Sequence, residues 1–153
     1  MSGSEAFTRL IPHGRYSTSF WEDCLREYLP GALKGTDDTP EYVIRCIHNG
    51  SAGCFFMRKE NTLRGFIVTN FINTAKGQTF LNIFVCCVFP GQDFLTLEEA
   101  EYDFTTRIIP QLEEVGGPVI SAITFRSTRE EGFTRRLKKM HYAPRLVEFI
   151  KWI

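Results

Sequence analysis

The sequence predicts a mixed α/β domain: a central, mostly antiparallel sheet with helices on both faces. Three observations lead there. Residues 54–89 hold three apolar runs, CFFMRKE, NTLRGFIVTNFI and QTFLNIFVCCVF, punctuated only by Asn61-Thr62 and by the polar NTAKG, which is the pattern of an antiparallel meander. The third run, from Thr79, is rich in Phe, Val, Ile and Cys without clean alternation, so it reads as a mid-sheet strand covered on both faces. Segments with apolar residues three and four apart lie on either side of the meander and supply the covering helices.

Residues 1–18 are polar and aperiodic, the signature of an arm or an extended first strand. Ser19 with Glu22 has capping-box spacing, and Trp21, Leu25, Tyr28 and Leu29 form one apolar face until Pro30-Gly31. After the loop GALKGTDD, Thr39 caps a short helix with Pro40 at its first position, Val43, Ile44 and Ile47 inside, and Asn49-Gly50 as its stop. The meander follows, and Pro90-Gly91 ends its last strand. Thr96 with Glu99 repeats the capping-box spacing and starts a helix at Leu97, whose stripe is Leu97, Ala100, Phe104, Ile108, Leu112 and Val115. Pro110 is expected to kink its last turn, and Gly116-Gly117-Pro118 stops it. PVISAITF reads as a further strand, and Ser127 with Glu130 as a third capping box. Phe133, Leu137 and Met140 form the buried line of a last helix that Pro144 ends, and LVEFIKWI is the closing strand.

With 153 residues, 43% of them apolar and 14 of them Phe, the chain can bury a sizeable core, and one domain over residues 1–153 is expected. Lys plus Arg and Asp plus Glu number 18 each, so no global charge draws the chain to nucleic acid or an anionic membrane. The five cysteines are odd in number, lack CxxC spacing and sit mostly in apolar runs, which points to thiols in a reducing, cytoplasmic setting. No stretch has the composition of a signal peptide or the roughly 18 apolar residues of a membrane span.

Few residues present obvious chemistry. His13, His48 and His141 never fall at i, i+4, so no metal site is expected. Cys86 and Cys87 lie in an apolar strand, which favours the inert thiol over a nucleophile, and no GxSxG elbow is present. Trp21 reads as packing, and Trp152 as the tryptophan better placed to meet a partner. Arg126, Arg129, Arg135, Arg136, Lys138, Lys139 and Arg145 make the last helix the most basic stretch, open to a solvated face, an acidic protein partner or phosphate backbones.

This element order, together with FTRRLKKMHYAPRLVEFIKWI, resembles the GNAT family of acyl-CoA-dependent N-acetyltransferases over residues 18–153. Lys138-Lys139-Met140-His141-Tyr142 occupies the places of the family's "eklGF" ending, so His141 stands where the family has glycine. The resemblance implies an acyl-CoA between two splayed parallel strands, its pyrophosphate on the loop and helix N-terminus after the central strand, here Phe89 to Thr96. That loop reads PGQDFLTLEE. It has one glycine, no Lys or Arg, and three carboxylates, Asp93, Glu98 and Glu99, which repel a phosphate. At the place of the family's thiolate-protonating tyrosine stands Leu137, and Tyr142 falls at its Phe. Residues 81–89 include Asn82 and two cysteines but neither carboxylate nor histidine to serve as base.

The leading expectation is therefore a degenerate GNAT-like domain for which no cofactor is expected. It would act through protein contacts at Arg129, Arg135, Arg136, Lys138, Lys139 and Trp152, as such domains do in tailed phages, where it would be a virion or assembly component. The alternative is a working acetyl-CoA-dependent N-acetyltransferase holding acetyl-CoA along Ile83, Val85, Val88, Gly91, Gln92, Phe94 and Leu95. Nucleic-acid binding through the last helix is the weaker third.

Overall fold

The structure, a computed structural model, describes residues 7–92, 95–126, 137–143 and 151–152. A five-stranded sheet, β1 (Arg9–Pro12), β2 (Gly53–Lys59), β3 (Thr62–Asn73), β4 (Thr79–Val88) and β5 (Ile120–Phe125), runs in sequence order; its first three junctions are antiparallel and β4–β5 is parallel. Helices α1 (Thr18–Ala32) and α2 (Pro40–His48) cover one face. The other is covered by α3 (Leu95–Asp103) and a π-helical turn over Phe104–Ile108, which passes into α4 (Ile109–Glu114). This is the mixed, mostly antiparallel sheet with helices on both faces that the pattern predicts.

Both faces are apolar because neighbouring residues on each strand serve different cores. On β2, Phe56 packs with Trp21, Leu25, Leu29, Val43, Ile47, Phe66 and Val68 beneath α1 and α2. Met57, one residue on, packs with Leu10, Ile67, Leu81, Ile83, Ala100, Phe104 and Ile108 beneath α3. Each such side chain contributes roughly 1.5–3 kcal/mol by leaving water. The two cores explain why the central strands read as near-continuous apolar runs.

The helix ends test the local code. Thr39 accepts from Tyr42 N–H, Pro40 opens α2 and Asn49 closes it, as the spacing predicts. Helix α1 starts earlier than predicted: Ser17, not Ser19, is the cap, accepting from Phe20 N–H, and the helix runs past Pro30-Gly31 to Ala32. Glu22 is thereby free of any capping duty and pairs with His48. Gly116, with φ +80°, and Gly117 end α4 as predicted, donating to Glu113 and Leu112 carbonyls in a Schellman arrangement. The stripe predicted for the long helix stops at Ile108; Leu112 is only half-buried and Val115 is 81% exposed. The irregularity expected at Pro110 falls one turn earlier, as the π-helical turn. The third capping box at Ser127 and Glu130, Phe133 and, apart from 151–152, the closing strand lie outside the described residues.

A larger correction concerns Thr96 and Glu99. Helix α3 already begins at Leu95, so Thr96 is a buried residue inside it, and the partners of Glu99 among the described residues lie away from the helix start. Its carboxylate accepts Thr8 N–H (2.6 Å) and pairs with Lys59 Nζ (3.2 Å). One turn on, Asp103 accepts Leu10 N–H (2.8 Å) while Arg107, bonded to Asp103 (2.6 Å), donates to the Leu10 carbonyl (2.9 Å). A carboxylate and a guanidinium thus take the place of a neighbouring strand along β1 and blunt the sheet edge against pairing with another chain.

This edge gives a pH prediction. Partial burial opposes the Asp103 charge, but the Arg107 and Leu10 hydrogen bonds and the Arg107 and Arg9 charges outweigh it, and its pKa is lowered in the fold. A depressed folded pKa means the stabilisation is complete above the unfolded carboxylate value, about 3.9, and disappears as pH falls through the folded value. Urea melts at falling pH are expected to show this loss below about pH 4, and Asp103→Asn should flatten it. An unchanged acid limb in that variant would contradict the assignment.

Candidate functional site

Among the described residues the β4–β5 pairing ends before β4 does. The β4–β5 ladder runs from Thr79↔Ile120 to Ile83↔Phe125, and Arg126 N–H closes it on the Ile83 carbonyl (3.0 Å), while β4 continues to Val88. A bulge marks the same place. Val85 pairs with Val68 and Ile83 with Thr69, leaving Phe84 as the extra residue. Before it Leu81 and Ile83 face α3; after it Val85 and Cys87 face α1 and α2. A bulge at the end of a shared ladder turns one strand away from its neighbour.

Of the residues predicted to hold a cofactor, Ile83 and Val85 are core residues on opposite faces and Val88 is half-buried, so backbone rather than side chain is what β4 offers a ligand. Beyond Val88, Phe89 to Gln92 form a tight turn: Gln92 N–H donates to the Phe89 carbonyl (3.1 Å), with Pro90 second and Gly91 third at φ +85°. Proline followed by a positive-φ glycine is the type II turn pattern. Leu95 opens α3, and Phe94, like Asp93, lies outside the described residues.

The loop's electrostatics differ from the sequence expectation. Glu99 is turned to Thr8 and Lys59, as above, so of the carboxylates expected to repel a phosphate only the exposed Glu98 remains among the described residues. A cation also arrives that the loop sequence lacks: Arg64, on β3, donates from Nη1 to the Gln92 side-chain carbonyl. The sequence signal was Gly65, a glycine inside a strand, which marks a bulge or a close backbone approach.

On the α3 side, the Tyr142 ring meets Phe125 at the end of β5 edge-on (6.0 Å). Its hydroxyl is buried without a hydrogen-bond partner among the described residues. Burial, then the Glu101 and Cys86 charges, push its pKa up, so it remains a protonated donor. Glu101 itself is raised, by burial and then by Glu98. Leu137 is buried, as the apolar spacing predicts. His141 has φ +69°, and Tyr142 N–H and His141 N–H close on the Leu137 and Lys138 carbonyls. The place where the resemblance puts glycine thus has the left-handed backbone that glycine favours.

The opposite face is polar at this level. Asn82 donates to Asn70 (3.0 Å) and accepts from Thr124 (2.8 Å), a row across β3, β4 and β5. Beside it, Arg126 pairs with Asp38 (2.6 Å), donates to the Phe84 carbonyl (3.2 Å) and lies 5.5 Å over the Phe84 ring. Asp38 comes from the α1–α2 loop, whose Thr36 hydroxyl accepts Asp38 N–H. It is a carboxylate that no reading of β4 could supply. Arg126, counted with the basic stretch, is therefore committed to Asp38; Lys138, Lys139 and Trp152 are exposed, and Arg129, Arg135, Arg136 and Arg145 lie outside the described residues. Burial lifts the Cys24 thiol to about 11 and the Cys54 thiol further, so neither offers a thiolate at neutral pH. No helix among the described residues is long and apolar enough to cross a membrane.

No family model and no curated protein matches the sequence. Solved structures do match. A possible acetyltransferase from Clostridium difficile 630 superposes with TM-score 0.65 at 8% identity over 96% of this chain and 97% of its own. A GNAT family acetyltransferase of Staphylococcus aureus gives 0.54 at 15% identity over 95% and 97%. An aminoglycoside N-acetyltransferase in complex with CoA gives 0.55 at 10% identity over 94% and 93%. At such identities the likeness speaks for the fold: this chain has the GNAT acetyltransferase fold.

Proposed function

We propose that the protein is an acyl-CoA-dependent N-acyltransferase, with acetyl-CoA as its donor. The observation that carries this reading is the loop after β4. Arg64 lies at its turn and Glu99 is turned away, which removes part of the electrostatic reason for expecting a degenerate site. The β4–β5 pairing supports the same reading, since among the described residues the backbone of Phe84 to Val88 lies beyond the last β5 pair. Gly91 and Gln92 would stand at the phosphates, together with the backbone at the start of α3.

The chemistry required is modest. An acceptor amine forms a bond to the thioester carbon, the carbon–sulfur bond breaks, the nitrogen gives up a proton and the departing thiolate takes one. Asp38, tied by Arg126 to the bulged Phe84, would receive the amine proton directly or through water. Tyr142, protonated and without a hydroxyl partner among the described residues beside the end of β5, is the candidate donor to the thiolate. Tyr142→Phe is expected to lower kcat about a hundredfold, within the usual range for a general acid. The same change removes an unpaired buried hydroxyl and should raise stability by about 1 kcal/mol. A purely structural tyrosine would show the second effect without the first.

Calorimetry with acetyl-CoA tests the reading. A micromolar dissociation constant, about −8 kcal/mol, and thiol release with an amine panel are expected; no heat up to millimolar ligand would overturn it. A second reading rests on Trp152, which is 79% exposed near the end of the chain. A non-catalytic domain could use Trp152, Lys138 and Lys139 to bind a protein partner, as a virion or assembly component would. Failure of acetyl-CoA to bind would put that reading first. Salt-sensitive gel shifts with random RNA or DNA would instead favour nucleic acid at the basic last helix.

A further inference from the structure

We propose that Arg64, delivered by a bulge in β3, is the cation that receives the pyrophosphate of the acyl-CoA, in place of a basic residue in the loop itself; this rests on the acyl-CoA reading above. Residue 64 is the one that the β2–β3 ladder skips. Met57 pairs with Gly65 and Arg58 with Leu63, so Arg64 stands unpaired between them. A bulge re-aims the side chain it carries. Here the Arg64 carbonyl accepts Phe89 N–H (2.8 Å), which fastens the end of β4 to the bulge, and the guanidinium reaches the Gln92 amide oxygen at the end of the turn.

Among the described residues the guanidinium has more donors than partners. Among the described residues its Nε is buried with no hydrogen-bond partner, and none of the ion pairs involves it. An arginine presents five donors in a planar fork suited to two phosphate oxygens, and a partly desolvated one without a carboxylate partner favours an anion. Gln92 is neutral, so it fixes the fork without neutralising it. Gly65 makes the arrangement possible, because the chain there passes so close to Cys87 and Val88 that no side chain fits.

The test compares acetyl-CoA binding by wild type, Arg64→Gln, Arg64→Lys and the exchange Arg64→Gln/Gln92→Arg, each first shown to melt normally in urea. Arg64→Gln should weaken binding about tenfold to a hundredfold, the range for a hydrogen bond to a charged group. Arg64→Lys should fall between, keeping the charge but losing the fork. The exchange, which moves the cation into the loop, should recover part of the loss. Dephospho-CoA, which keeps the pyrophosphate and lacks the 3′-phosphate, should show the same Arg64→Gln penalty. Unchanged affinity in Arg64→Gln, or a penalty that vanishes with dephospho-CoA, would overturn the assignment while leaving acyl-CoA binding intact. A wild-type protein that does not bind acetyl-CoA would overturn the functional reading, and this assignment with it.

Discussion

Gly65→Ala is expected to cost about 3 kcal/mol, the upper part of the usual range for overpacking. A Cβ at residue 65 would stand 2.1 Å from the Cys87 carbonyl oxygen, 2.7 Å from Met57 Cε and 3.0 Å from Val88 Cα. Methionine can move, but the other two contacts are backbone of the neighbouring central strand. Relief requires β3 and β4 to separate at the place where both cores meet, next to Phe66, Ile67, Val85 and Cys87. With a urea slope of about 1–3 kcal/mol per molar, the midpoint should drop by about 1 M or more. Gly14→Ala is the control, since nothing lies within 4 Å of a Cβ there. Gly65→Ala should also weaken acetyl-CoA binding, because it displaces the bulge that aims Arg64. A variant that melts like wild type would mean that β3 and β4 lie farther apart than described.

What the sequence revealed and what it hid follow from the range of the interactions. The α2 cap at Thr39-Pro40, the meander and the Gly116-Gly117 stop are settled within a few residues, and all three are visible in the pattern. Ser17 and Ser19 both suit a cap, so local spacing alone could not separate them. Glu99 shows the opposite case. Its spacing from Thr96 matches a capping box, yet Lys59 and Thr8 N–H, 40 and 91 residues away, bind it instead. A long-range ion pair overrode a local rule, and with it fell part of the argument that the loop repels phosphate.

The candidate site was legible only along β4. The strand, the Pro90-Gly91 break and the following helix could be read directly, and they place Ile83 to Val88, Gly91 and Gln92 in one continuous segment. Arg64 and Asp38 could not be found that way. Arg64 reaches the loop because β3 carries one residue more than β2 can pair, a property of two strands together. Asp38 sat in a stretch read as a plain connection, and only Arg126, 88 residues later, draws it to the end of β5. Residues that converge from separate elements leave weak traces in sequence, and here Gly65 within a strand was one such trace.

Leu137→Ala is expected to lower stability by about 2–5 kcal/mol, through lost transfer energy and the cavity left behind. Leu137 is 9% exposed, and its carbonyl accepts both Met140 N–H and Tyr142 N–H (3.0 Å each), so the residue anchors the turn that sets Tyr142 against Phe125. Such a loss is a large share of the roughly 5–15 kcal/mol that holds a domain folded. Leu137→Met, close in volume, should cost less than about 1.5 kcal/mol. Leu137→Tyr restores the residue that the GNAT resemblance places here, yet it should reduce stability and bring no gain in acetyl transfer. The phenol would have to enter a buried position, and the proton donor proposed above is Tyr142. A urea melt of Leu137→Ala matching wild type would show that the side chain faces an open cleft. A gain in turnover from Leu137→Tyr would move the proton donor from Tyr142 to position 137.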